Sequence, residues 1–161
     1  MYQRRVPKTH PRIEACGAVD ELNAAVGLAR ATVEEIPLRE NLLAIQKELV
    51  TLMGELATLP EDLPRFIKNG YSSVTPEMTA RLEKLVDERE LQTPESRDWA
   101  TPGASLPAAA LDVARTVCRR AERCVCALQE AGQLPNGGIL IYLNRLSDLL
   151  WLFARHLENK P

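Results

Sequence analysis

Aromatic residues are scarce in this chain, at 4% of 161 residues: two Trp, three Tyr and two Phe. A core built almost without rings must be made of Leu, Ala, Val and Ile. Long apolar runs are missing as well. None reaches the ~18 residues that a membrane span needs, so no membrane association is expected. The amino end, "MYQRRVPKTHPR", has no apolar stretch after its positive charges, which argues against a secretory signal. Four cysteines without such a signal read as reduced thiols, and the expected location is cytoplasmic. An excess of basic charge is absent too. The net charge is −2, which argues against general nucleic-acid binding.

Several chemistries are also missing. Cys124 and Cys126 are two apart on a helical segment, so they diverge by about 200° and do not form a metal site. Cys16 and Cys118 read as small apolar residues on packing faces. His10 and His156 sit at opposite ends of the sequence, and no Glu-x-x-His pair of the di-iron bundles occurs. There is no Ser/His/Asp arrangement at a recognisable elbow and no Walker-type P-loop.

What is present is helical periodicity, in five stretches. The first runs from about Glu14 to Val33 (Ala15, Val19, Leu22, Val26, Ala29, Val33). The second runs from about Leu38 to Leu56 (Leu38, Leu42, Ile45, Leu49, Leu52, Leu56). Both alternate spacings of three and four, the seam of long helices packed side by side. The third runs from Pro76 to about Arg89, with Thr75 as its cap and Pro76 at the first helical position. The fourth spans about Leu106 to Glu130, with Gly132 as its stop. The fifth spans about Gly138 to Glu158. Prolines at 60, 64, 94 and 102 make the two long connections poor helices. No segment alternates like a strand. A single all-α domain over residues 1–161 is expected, an up-and-down five-helix bundle.

Polar stripes flank the seams. Asp20, Asn23 and Gly27 share one face of the first helix. Arg115, Arg119 and Glu122 form a stripe on the fourth, within "ARTVCRRAER", where four arginines fall between residues 114 and 123. Asn144 and Asp148 are four apart on the fifth, beside Arg145 and Ser147. A guanidinium fork matches phosphate oxygens two at a time, so Arg115 and Arg119 in successive turns suit a polyphosphate. Arg119 and Glu122 equally suit an intrahelical ion pair on a solvated face. Spacing alone does not decide whether the stripes converge.

Three segments in register carry more. "PRIEACGAVDELNAAVGLAR" (11 to 30), "ARTVCRRAER" (114 to 123) and "YLNRLSDLLWLFAR" (142 to 155) resemble the PduO-type ATP:cob(I)alamin adenosyltransferases in order, spacing and helical context. The similarity runs from about Arg4 to Arg155. It implies a ferritin-like bundle that assembles as a homotrimer, with active sites between neighbouring subunits. The implied reaction is attack of cob(I)alamin on C5′ of ATP, with Mg²⁺ accompanying the nucleotide and a reductase supplying Co(I).

The resemblance also implies roles. Arg119 matches the arginine that contacts the ATP phosphates. Arg115 matches the one that pairs across the subunit interface with the first-helix aspartate, Asp20. Glu122 orients the arginines or contacts the nucleotide, and Asn144 lies near ATP. Lys8, in "RRVPKTH", resembles a lysine that approaches the phosphates. Trp99 stands where the family often has Phe, a ring associated with the corrin. Arg145 and Asp148 are expected to support the fifth helix, and Arg120 and Arg123 to be solvated or at an interface.

The chain also departs from the family. His10 replaces the usual acidic residue before Pro11. Ala104 gives "PGAS" for "PGGS", which restricts the backbone. Asp112 stands where His is common. A segment like "TRTGDKG", which wraps the triphosphate in the family, is not seen ahead of "MYQRRVPK". Retention of Asp20, Arg115, Arg119, Glu122 and Asn144 favours a missing segment over decay of the site. A homologue that binds corrinoid or nucleotide without turnover is the alternative, and a helical interaction module is a weaker one.

Overall fold

In the computed structural model, residues 5–92 and 100–158 are described. Among them are six α-helices and one 3₁₀ turn, with no strand: α1 (Pro11–Thr32), α2 (Ile36–Leu56), the 3₁₀ turn Pro60–Asp62, α3 (Leu63–Lys68), α4 (Pro76–Glu90), α5 (Leu106–Glu130) and α6 (Gly138–Glu158). The five long helices are those expected from periodicity. The short α3 corrects the reading of residues 58–75 as a turn-rich loop. Pro64 sits in its first turn, where a missing N–H costs nothing, and buried Phe66 anchors it.

The seams read from the sequence form the core. Ala15, Val19, Leu22, Val26 and Ala29 of α1 are fully buried, as are all six apolar seam positions of α2. So are Leu111, Ala114, Cys118, Ala121, Val125 and Leu128 of α5. α5 packs against both α1 and α6, α2 against α1, and α4 against α6. The arginine-bearing helix therefore lies between the other two helices that carry polar stripes.

Several helix ends have a chemical reason. His10 caps α1, its Nδ1 accepting from the Arg12 N–H at 3.1 Å, and Pro11 opens the helix. This requires the tautomer with its proton on Nε2, and it gives His10 the capping role of an acidic residue. Ser105 caps α5 through the Ala108 N–H at 3.3 Å. Thr75 occupies the cap position of α4, but its side chain makes no capping hydrogen bond. At the other end of α5, the Gln133 N–H reaches the Leu128 carbonyl (2.8 Å) and the Gly132 N–H reaches that of Gln129 (2.9 Å). These are the two bonds of a Schellman ending, and Gly132 supplies its positive φ of 67°.

Polar contacts hold the helix ends together. Arg12 is 2% exposed, and its guanidinium donates to the carbonyls of Leu56 (2.8 Å), Thr58 (3.2 Å) and Gln133. A buried cation thus gathers carbonyls from the end of α2 and from just beyond α5, where helix dipoles make them most negative. Glu55 accepts from the Val74 N–H (2.7 Å) and from Asn136 Nδ2 (2.9 Å). Asn136 Nδ2 also donates to the Val74 carbonyl, while its Oδ1 accepts from the Gly138 N–H that opens α6. Higher up, Arg81 of α4 forks onto Glu48 of α2 at 2.9 and 2.6 Å, and the buried Tyr142 hydroxyl donates to the same carboxylate at 2.7 Å. Among the described residues, no helix is long and apolar enough to cross a membrane.

Candidate functional site

The arginine helix presents its stripe beside α6. Leu111, Ala114, Cys118, Ala121 and Val125 fix its rotation by facing inward, and Cys118 Sγ also donates to the Leu143 carbonyl of α6 at 3.2 Å. Burial pushes the Cys118 thiol far above its ordinary value, with Glu122 adding to it, so this cysteine is a packing residue and not a nucleophile. With those positions turned inward, Arg119 is exposed, while Arg115 and Glu122 are half-buried.

Glu122 does not pair with Arg119. It accepts a hydrogen bond from Asn144 Nδ2 of α6 at 3.0 Å. Two residues singled out on different helices are thereby joined. Arg119 makes no hydrogen bond or ion pair with a described residue, so its five N–H donors remain available. Arg145 bonds Asp148 at 3.3 Å and approaches Glu83 of α4 at 3.9 Å. Ser147 donates to the Asn144 carbonyl at 2.9 Å.

The remaining candidates are placed less closely together. Asp20 is exposed on α1, and within this chain Arg115 bonds Asp112 (Nε to Oδ1, 3.1 Å) and not Asp20. Asn23 and Gly27 lie against α2: Gln46 Nε2 donates to the Asn23 carbonyl at 3.2 Å, and a Cβ on Gly27 would stand 2.9 Å from that nitrogen. The α1 stripe is therefore split, with Asp20 outward and the other two toward a neighbouring helix. Arg120 pairs with Glu21 of α1, an ion pair at the surface of the chain. Arg123 is exposed. Lys8 is exposed in the turn before α1. Trp99 lies outside the described residues.

Among the described residues no group of three or more His, Cys, Asp or Glu side chains is arranged to hold a metal ion. A groove of about 700 Å³ between α2 and the segment around α3 is lined by Val50, Gly54, Phe66 and Tyr71, and by none of the candidate residues.

The family model described as cobalamin adenosyltransferase matches residues 1–157. The chain belongs to the cobalamin adenosyltransferase family. A cobalamin adenosyltransferase of Cupriavidus metallidurans is 41% identical over 156 residues, covering 96% of this chain and 78% of that one. A corrinoid adenosyltransferase of Bacillus subtilis is 38% identical over 151 residues, covering 94% and 76%. A variant PduO-type ATP:corrinoid adenosyltransferase from Lactobacillus reuteri, solved in complex with cobalamin and ATP, superposes with a TM-score of 0.85 at 33% identity, covering 95% of this chain and 83% of that one. A second variant from that organism, complexed with ATP, gives a TM-score of 0.86 at 31% identity, covering 97% and 86%.

Sequence reasoning missed several polar residues of this adenosyltransferase-family bundle. Arg12, Glu48, Arg81, Asn136 and Tyr142 were not singled out, because their partners are distant in sequence. Asp112 was noted only as a departure. It is 4% exposed and bonds both Arg115 and Arg155 of α6. No local signal marked its burial: Asp112 stands three before Arg115 and seven before Arg119, in the register of the polar stripe, and the buried cation that its carboxylate needs comes from another helix.

Proposed function

We propose that this chain transfers the 5′-deoxyadenosyl group of ATP to the cobalt of cob(I)alamin or a related corrinoid, giving adenosylcobalamin and triphosphate. Family membership over almost the whole chain supports the reaction. The observation that carries the assignment of residues is the Glu122–Asn144 hydrogen bond, which brings two stripes together on the face of α5 that carries Arg119, whose guanidinium has no partner among the described residues.

In this reaction the cobalt(I) electron pair forms a bond to C5′. The C5′–O bond breaks, and its electrons leave with the triphosphate. No proton transfer at carbon is needed, so the protein's work is positioning and charge stabilisation. Arg119 donates to phosphate oxygens, where negative charge grows as the bond breaks. Asn144 and Glu122, locked to each other, offer a fixed carboxamide and carboxylate to the nucleoside end. Lys8 approaches the phosphates as a second cation. Trp99 supplies an apolar wall to the corrin. Mg²⁺ travels with the nucleotide, held mainly by phosphate oxygens and water, since such an ion needs only one or two protein carboxylates.

The same reading makes the working unit a homotrimer. Asp20 of the partner subunit meets Arg115, closing the pocket between protomers. The location is cytoplasmic, and a reductase supplies Co(I).

Incubation with ATP, Mg²⁺ and chemically reduced cobalamin tests the reaction, followed by the change in the cobalamin spectrum. Conversion is expected. Binding of nucleotide or corrinoid without conversion identifies an impaired homologue instead, and binding of neither leaves a helical interaction module. Asp20→Ala is expected to weaken both trimer and turnover; a full-strength trimer with undiminished turnover would remove Asp20 from the site.

A further inference from the structure

On the adenosyl-transfer reading above, we propose that Asp112 is the positioning residue for Arg115, holding its guanidinium by the Nε edge so that both terminal nitrogens stay open toward Asp20 of the partner subunit.

Four charged groups alternate in sign across α5 and α6. Arg115 Nε donates to Asp112 Oδ1 at 3.1 Å, Arg155 Nη2 donates to Asp112 Oδ2, and Arg155 Nη1 meets Glu158 Oε2 at 3.2 Å. Side-chain exposure rises in both directions from the centre: 5% for Asp112, 7% for Arg155, 16% for Glu158 and 26% for Arg115. Such a gradient separates this pair from an ordinary surface contact at i, i+3. An exposed pair of that spacing holds neither partner firmly. Here one carboxylate oxygen is pinned by a buried guanidinium on another helix, and the other oxygen is left to orient Arg115.

The consequence is pre-organisation. Arg115 uses one of its five donors on Asp112, and its Nη1 and Nη2 make no hydrogen bond with a described residue. A guanidinium can meet a carboxylate two bonds at a time through its Nε side, as Arg81 does with Glu48, or through its outer Nη1/Nη2 edge, and with Nε taken by Asp112 the outer edge is the one left to Arg115. A side chain held beforehand gives up less freedom when that contact forms. Arg155 is the reason the device works, because an aspartate carboxylate this buried needs a cation. That also names the competing role, in which Asp112 only neutralises Arg155.

The test uses the full chain. Asp112→Ala is expected to lower kcat/KM for ATP about tenfold or more, the range of coupling between groups in one network, and to lower Tm, because Arg155 then keeps only Glu158 as a counter-ion. Asp112→Ala combined with Arg155→Met and Glu158→Gln removes every charge that the loss of this chain of ion pairs would strand. Tm is expected to return while kcat/KM stays low, and a further Arg115→Ala is expected to cost less than about twofold. If turnover returns together with Tm, or if Arg115→Ala costs as much in this multiple variant as in the native chain, Asp112 only neutralises Arg155 and the proposal fails. The Nε–H resonance of Arg115, assigned by its loss in Arg115→Lys, reads the contact directly in the native chain. Slow exchange with solvent is expected, and rapid exchange overturns the proposal. This resonance separates the two questions: no turnover in the native chain defeats the adenosyl-transfer reading, while the resonance still decides whether Asp112 holds Arg115.

Discussion

Arg12 and Arg119 are the same residue type on two helices that touch, and they have opposite situations. Arg12 is buried and gathers three carbonyls at the closed end of the bundle. Arg119 is exposed and makes no hydrogen bond or ion pair with a described residue. The closed end spends its polar groups internally: Glu55 and Asn136 bond each other, and Arg12 bonds the carbonyls of Leu56, Thr58 and Gln133. Around Arg119 the α5–α6 face is half-finished: Glu122 and Asn144 bond each other, and the Arg119 guanidinium has no partner among the described residues. The difference teaches where this chain spends polar side chains on itself and where it leaves them for something else.

The comparison can be broken most sharply at Arg119. Arg119→Ala is expected to lower kcat/KM for ATP by about 10²–10³, the usual loss for a donor to developing charge, with Tm within about 2 °C of the native chain. Comparable losses of Tm and activity would place Arg119 with the internally bonded group. Arg12→Met runs the other way. It leaves three carbonyls without their donor, and an expected loss of about 2–4 kcal/mol of stability follows from the cost of such groups. Denaturant unfolding measures it, and the turnover of the folded fraction is expected to change by less than about threefold.

Tyr142→Phe sharpens the comparison at the edge of the closed region. It deletes the hydroxyl bond to Glu48, with an expected loss of about 1 kcal/mol. Burial pushes the Tyr142 phenol well above its ordinary value, and the Glu48 charge adds to this. Its ionisation is therefore suppressed in the folded state relative to the unfolded one. The contribution is complete below about pH 10 and is lost as pH rises further, because the unfolded chain then releases the proton more readily. An absorbance titration that follows phenolate should show one tyrosine that ionises only with unfolding. The smallest effect is expected from His10→Asp, which keeps the cap and adds charge complementary to the helix dipole. A gain of about 0.5 kcal/mol in unfolding free energy is expected, read from denaturant unfolding.

Legibility in the sequence followed the same division. The seams of α1, α2 and α5 were readable because a buried stripe repeats locally every three or four residues. The end of α5 and the start of α6 were readable because Gly132 and Gly138 mark them within a few positions, whereas the Ser105 cap of α5 emerged only in the structure. α3 was not readable: two prolines and a glycine outweigh its short apolar face, and Phe66 finds its place against Gly54 of α2 and the ring of Tyr71. The α5–α6 part of the candidate site was legible as residue types, but the Glu122–Asn144 bond spans 22 positions, and no local period encodes it. Arg12 was opaque for the same reason, since its carbonyl partners lie 44, 46 and 121 positions away. Asp112 had no local sign, because it continues the register of the polar stripe and its buried cation comes from another helix.

The carboxamide of Asn136 has a consequence for the order in which the chain assembles. It joins segments 62 and 81 positions behind it and the helix just ahead. Such distant closures are slow and come late in folding. Until the final helix arrives, the Glu55 carboxylate lacks one of its two donors, so the bundle cannot settle in its finished form from its amino-terminal part alone. One amide group thereby acts as the clasp that the last piece of chain must fasten.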